Sequence, residues 1–233
     1  MIKKVESLKM GKSNLGWLNS IFHFSFAEYY NPDNINFGVL RVINDDLVKS
    51  GTGFDTHPHK DMEIVSYVID GELTHADSMN NKYTLTRGQV QYMSAGTGVW
   101  HSEHNFGEET LRFLQIWIFP DDSNYSPNYG DYRFNWDDRV NKWLHIVSGE
   151  NGDAPIKIHQ DVNINVIELE KGRSIGFDVK ENRQAYLVQI EGDSIINGIE
   201  INAKDGLESR EENLMIEAKT DSHIMILEMK LGD

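Results

Sequence analysis

Apolar residues in this sequence recur with a period of two, not 3.6. Short runs rich in Val, Ile, Tyr and Phe occupy residues 37–43, 63–69, 71–75, 82–86, 90–93, 111–119, 163–169, 185–190, 193–196, 214–217 and 223–229. Gly, Asn and Asp separate them, the pattern of strands bounded by turns. Side chains alternate across a strand, so each run offers one face to a core. No long amphipathic helix is visible. Many short strands at regular spacing predict an all-β sandwich or barrel. Asp70-Gly71 is expected to close a tight hairpin, Glu191-Gly192 to do the same in the second half, and Asn197-Gly198 to make a further turn.

The chain also carries a weak internal repeat. Tyr67-Val68-Ile69-Asp70-Gly71-Glu72 resembles Val188-Gln189-Ile190-Glu191-Gly192-Asp193, and a second glycine follows each, Gly88 and Gly206. Residues 121–138 are poor in aliphatic side chains and read as the divider. The 233 residues are then two similar barrels, residues 1–135 and 136–233.

Composition narrows the chemistry. Cysteine is absent, which removes disulfides, thiol nucleophiles and thiolate-bound metals. Any metal must therefore sit on nitrogen and oxygen. The net charge is −15, spread evenly over both halves, and it argues against direct nucleic-acid binding, which needs clustered Lys and Arg. No stretch approaches the roughly 20 apolar residues of a membrane helix, and no apolar segment follows the basic start. A cytoplasmic protein with no membrane partner is expected, monomeric for want of an interface signal.

Two histidine clusters carry the chemical signal. The first is His57-Pro58-His59-x3-Glu63. Residues i and i+2 of a strand share a face, roughly 6.6–6.8 Å apart, so His57 and His59 can converge on one ion. Glu63 shares their parity if the strand continues past Pro58, which suits an edge or bulged position. The second cluster runs from Met93 to Glu103, where His101 and Glu103 repeat the i, i+2 logic. Together they offer three imidazoles and one or two carboxylates, a set suited to iron(II), manganese, nickel, copper or zinc.

The spacing Gly51-x5-His57-x-His59-x3-Glu63-x7-Gly71 resembles the first cupin motif, and Gly88-x5-Ser94-x-Gly96-x4-His101-x3-Asn105 a looser second one. Ser94 in place of proline and two extra residues before His101 resemble the pirin subgroup. So do His57-Pro58-His59-Lys60-Asp61-Met62-Glu63, Asp77-Ser78, Met93-Ser94-Ala95-Gly96-Thr97-Gly98 and His101-Ser102-Glu103. The likeness is strong over residues 14–120 and fainter beyond. It implies the cupin superfamily fold, two tandem β-barrels, with one metal in the first barrel. The metal would be iron(II), with zinc, manganese, nickel, cobalt or copper as alternatives. The implied ligands are His57, His59, His101 and Glu103, with Glu63 supporting them from behind. The second half has no matching pair; Asp178 stands where His57 would, His223 is alone, and that barrel is expected to be metal-free.

The resemblance further implies a quercetin 2,3-dioxygenase, which opens a flavonol ring with O2 and releases carbon monoxide. Glu103 would be the base for the flavonol hydroxyl. The alternative is a non-enzymatic, iron-dependent redox regulator that binds a protein partner; a third reading is another small-molecule cupin such as an isomerase. His75, His104, His145, His159 and His223 read as packing or surface residues, with His104 pointing away from Glu103. The aromatics Trp17, Phe22, Phe24, Phe26, Tyr29 and Tyr30 read as core. Met93 and Trp100 are the better pocket candidates.

Overall fold

The computed structural model describes residues 1–79 and 82–232, and they form an almost entirely β protein. Among them there is no α-helix, only two 3-10 turns, Ser7–Lys9 and Trp136–Arg139. No helix is long and apolar enough to cross a membrane.

The strands in the first half are β1 (Ile2–Val5), β2 (Gly11–Asn14), β3 (Leu18–Phe22), β4 (Leu40–Val48), β5 (Thr52–His59), β6 (Glu63–Asp70), β7 (Leu73–Asp77), β8 (Lys82–Leu85), β9 (Val90–Ser94), β10 (Val99–Asn105), β11 (Leu111–Ile118) and β12 (Asn128–Tyr132). Those in the second half are β13 (Leu144–Gly149), β14 (Ile156–Ile158), β15 (Val162–Leu169), β16 (Ser174–Phe177), β17 (Arg183–Glu191), β18 (Ser194–Ile196), β19 (Ile199–Ile201), β20 (Gly206–Arg210), β21 (Leu214–Ala218) and β22 (Ser222–Lys230).

Two compact units result. One comprises Gly11–Phe134 and Ile158–Gln160, the other Met1–Met10, Asn135–Lys157 and Asp161–Asp233. The first unit pairs a seven-stranded sheet, β12-β9-β6-β11-β4-β3-β2, with a four-stranded one, β5-β10-β7-β8. The second repeats the plan as β1-β20-β17-β22-β15-β13-β14 and β16-β21-β18-β19. Strand for strand, β4 to β11 correspond to β15 to β22. The central ladders, β4–β11, β6–β11, β17–β20 and β17–β22, are antiparallel, and alternation along them fixes which residues face inward. In the first unit Val48, Val68 and Phe113 meet Leu73 and Leu85 of the smaller sheet in one apolar cluster. In the second, Ile167, Leu187 and Ile224 meet Ile196, Ile201 and Ile216.

Three sequence expectations change in detail. Asp70-Gly71 is a turn, with Gly71 at φ +77°, but β6 and β7 do not pair. The turn carries the chain from the large sheet to the small one, and Glu191-Gly192 does the same between β17 and β18. The true hairpin is Asn197-Gly198, where both residues have positive φ and Ile196 pairs with Ile199. The divider is not empty, because β12 lies within it and pairs with β9. Residues 1–10, expected with the first barrel, belong to the second unit, because β1 adds to the edge of β20.

Candidate metal centre

The small sheet of the first unit brings the histidines together. Antiparallel pairing of β5 with β10 sets His101 opposite His57 and Val99 opposite His59. Between His101 and Glu103 the register slips, so that Glu103 faces Phe54 instead of Asp55. The extra residue on β5 reverses parity, the usual effect of a bulge. His57, His59 and Phe54 therefore all line one cavity.

His57, His59 and His101 have ligand nitrogens lying within 4.8 Å of one another. The Nε2 atoms of His57 and His101 stand 3.1 Å apart. Each has its other nitrogen engaged. His57 Nδ1 lies 2.7 Å from the Asp55 carbonyl, which can only accept, so the proton sits on Nδ1 and Nε2 bears a lone pair. His101 Nδ1 lies 3.2 Å from His75 Nε2. With its proton on Nδ1, donated to His75, His101 likewise turns a lone pair toward His57. Two facing lone pairs at this distance repel unless a cation lies between them. The donors thus fit a metal at Zn–N-like distances of about 2.0–2.1 Å.

Burial favours the same state. His59 and His101 are both pushed down to about 3, chiefly by burial and then by the neighbouring imidazoles, so they stay neutral and ready to ligate. His59 also packs edge-on against Trp117, with ring centroids 4.9 Å apart.

Glu103 stands outside the tight histidine group but lines the same cavity. Ser66 Oγ donates to its Oε1 at 2.7 Å, and Gln115 Nε2 donates to its Oε2 at 2.5 Å. Ser66 and Gln115 sit opposite each other on β6 and β11, polar residues among apolar neighbours. Such partners hold a carboxylate in a fixed orientation.

Glu63 does not support the histidines. Chain direction breaks at Asp61, whose φ is +48°, and Glu63 opens β6 in the other sheet. Its parity is that of Val65 and Tyr67, opposite to Ser66. Its Oε1 accepts from Ser94 Oγ at 2.7 Å and lies 3.2 Å from His159 Nδ1. The expected supporting role falls instead to His75. That residue is fully buried on β7, opposite Glu103, bonded to His101 and stacked on Tyr129 at 4.7 Å. It shares parity with the core residue Leu73, a signal present in the sequence. His104 points away, stacked on Phe106, as its parity requires.

His57 and His59 line a cavity of about 450 Å³, a volume in the range of small-molecule sites. Trp17, Phe22, Phe26, Phe54 and Trp117 supply apolar wall. Three of these, Trp17, Phe22 and Phe26, belong to the aromatic run assigned above to core; they come from β3 and its flanks. Met93 is instead fully buried core and Trp100 is exposed, so neither lines the cavity. The polar floor adds Asn44 and Asp46 of β4. Asp46 is nearly fully buried and is pushed up to about 7, mainly by burial against a Ser20 hydrogen bond, with Asp45 and Glu103 adding to the rise. The alternation Leu40, Val42, Asn44, Asp46, Val48 places it on the inward face, one strand turn beyond the run at 37–43.

In the second unit the corresponding strands carry other residues. β16 offers Ile175 and Phe177, and β21 offers Ile216 and Ala218, all packed into the apolar cluster of that barrel. Asp178 falls just past the end of β16. His223 is buried beside Glu191, at 3.3 Å.

Comparison with known proteins agrees with this arrangement. The Pirin family profile matches residues 4–118, and that of the quercetinase C-terminal cupin domain matches residues 145–229. The quercetin 2,3-dioxygenase of Escherichia coli is 39% identical over 231 residues, 98% of this chain and 99% of that one. A pirin-like protein of Caulobacter vibrioides is 40% identical over 230 residues, 98% of this chain and 99% of that one. The solved structure of the bacterial pirin YhhW from Escherichia coli in complex with nickel(II) has a TM-score of 0.93 at 38% identity, covering 100% of both chains. With both halves matched and full-length relatives at this identity, the chain belongs to the pirin family, whose members pair two cupin domains.

Proposed function

We propose that this protein is a metal-dependent dioxygenase that opens a flavonol ring with O2 and releases carbon monoxide. The observation that carries the reading is the clustering of His57, His59 and His101, the first two of which line a cavity with aromatic walls. His57, His59, His101 and Glu103 would hold the metal, one ion per chain. The N/O donor set accepts iron(II), the favoured ion, as well as manganese, nickel, cobalt, copper or zinc. A bound divalent metal supplies Lewis-acid stabilisation of the flavonol oxygen as it loses its proton, and the route to dioxygen. The name of the Escherichia coli relative supports the same substrate class.

The chain's own residues do the rest. Trp17, Phe54 and Trp117 offer faces and edges for a flat aromatic substrate and keep water from it. Ser66 and Gln115 each donate to one oxygen of Glu103, which would hold it in place as a ligand. The test is direct. Metal-loaded protein should consume quercetin and O2 together and evolve carbon monoxide. Absence of turnover with the iron, manganese, nickel, cobalt and copper forms would refute the reading.

A further inference from the structure

Each Glu103 oxygen accepts one hydrogen bond, which leaves a lone pair for a metal, and Glu63 faces the other side of its sheet. The cavity is lined by two further carboxyl groups, Asp55, whose side chain is exposed to solvent, and Asp46, which is buried. Asp46 lines it beside Ser20 and Asn44. Only 3% of Asp46 is exposed, Ser20 hydrogen-bonds its carboxyl, and its Oδ1 is buried without a partner. Asn44 Oδ1 and Trp117 Nε1, in the same wall, are also buried without partners. Unsatisfied buried polar atoms are costly. Three around one cavity mark where a polar ligand completes their hydrogen bonds.

We propose that Asp46 is the proton acceptor for the substrate hydroxyl in this cavity, leaving Glu103 to act as a fixed ligand. The inference rests on the dioxygenase reading above. The O–H bond of the flavonol breaks, its proton bonds to the Asp46 carboxylate, and the electron pair stays on the flavonol oxygen. Flavonolate and O2 then give carbon monoxide and a ring-opened carboxylate, to which Asp46 returns the proton. A base works best when its pKa lies near the operating pH, and that of Asp46 does. The charged or titratable groups about it are Asp45, which is ion-paired outward to Arg112 at 2.6 Å, and Glu103, Asp55, His57 and His59 on the cavity wall.

The experiment compares wild type, Asp46→Asn and Ser20→Ala, all metal-loaded. Under anaerobic conditions, quercetin added to wild type near pH 7.5 should show the red-shifted absorption of the flavonolate. Asp46→Asn should bind metal and quercetin but leave the flavonol band unshifted, and its kcat/KM should fall by roughly 10²–10⁴-fold, the usual range for a lost general base. Ser20→Ala should move the acidic limb of kcat/KM to higher pH, because the hydrogen bond that lowers the Asp46 pKa is gone. A full flavonolate band and wild-type kcat/KM in Asp46→Asn would overturn the proposal, as would an unmoved acidic limb in Ser20→Ala. Should Asp46→Asn fail to fold, the Ser20→Ala limb decides alone. Failure of wild type to turn over any flavonol refutes the functional reading, whereas turnover that survives Asp46→Asn refutes only the assignment of the base.

Discussion

At the scale of residues, the site is a set of tautomers and burial states. His57 Nδ1 is engaged by a backbone carbonyl and His101 Nδ1 faces His75; with the proton on each Nδ1, both Nε2 lone pairs converge. Removing the support should therefore weaken the ligand. His75→Ala is expected to lower metal affinity by roughly 10–100-fold, as loss of outer-shell partners does, whereas Glu63→Ala should leave metal content unchanged. His101→Ala and Glu103→Ala should each lower it outright. Elemental analysis of the purified variants checks all four, and equal loss at Glu63 and Glu103 would contradict the assignment. Asp46 gives a stability prediction of definite sign. Its folded pKa is raised to about 7 from 3.8, so between those values the folded state binds the extra proton and stability falls as pH rises. Asp46→Asn should thus stabilise the protein at pH 8, by up to about 4 kcal/mol if the whole shift is realised. That gain should shrink toward pH 4. Urea unfolding at the two pH values measures it.

At the scale of elements, the pairing of β5 with β10 decides whether the histidines meet. Gly53 of β5 pairs with His104 of β10. A Cβ there would come within 2.3 Å of the Glu103 carbonyl oxygen and 2.5 Å of the His104 Cα. Backbone atoms give way poorly, so Gly53→Ala must push β5 off β10. It should cost roughly 1–3 kcal/mol, as overpacking does, and reduce bound metal because His57 moves relative to His101. A thermal melt with metal analysis reads both; unchanged metal content would show that the strand pairing does not set the ligand spacing. Much at this scale was legible in the sequence. The apolar runs located strands, some burying one face, as β15 does, and others, such as β6, β17 and β22, burying both. The i, i+2 spacing placed His57 with His59, and His101 with Glu103, on shared faces. What was illegible depended on partners distant in sequence. β1, β2 and β3 are short, with mixed polarity, and are strands because an edge awaits them. Glu63 kept the right parity by count, but the positive φ at Asp61 moves it to another sheet. Trp17, Phe22 and Phe26 read as core because aromatic composition does not distinguish a filled interior from a cavity wall.

At the scale of the whole molecule, one strand plan is used twice with different interiors. The first unit spends inward positions of its small sheet on His57, His59, His101 and Glu103 and leaves a cavity beside them. The second places Ile175, Phe177, Ile216 and Ala218 on the corresponding strands and closes the interior with apolar packing. The absence of cysteine is consistent with both, since the first needs only nitrogen and oxygen ligands and neither needs a disulfide. The account therefore predicts a single metal per chain, located by the first unit alone. The most direct test is an anomalous difference map from crystals of the metal-loaded protein, recorded at the absorption edge of the metal. It should show one strong peak bonded to nitrogens of His57, His59 and His101, with a Glu103 oxygen completing the protein ligands. A peak elsewhere, or none among these three imidazoles, would contradict it.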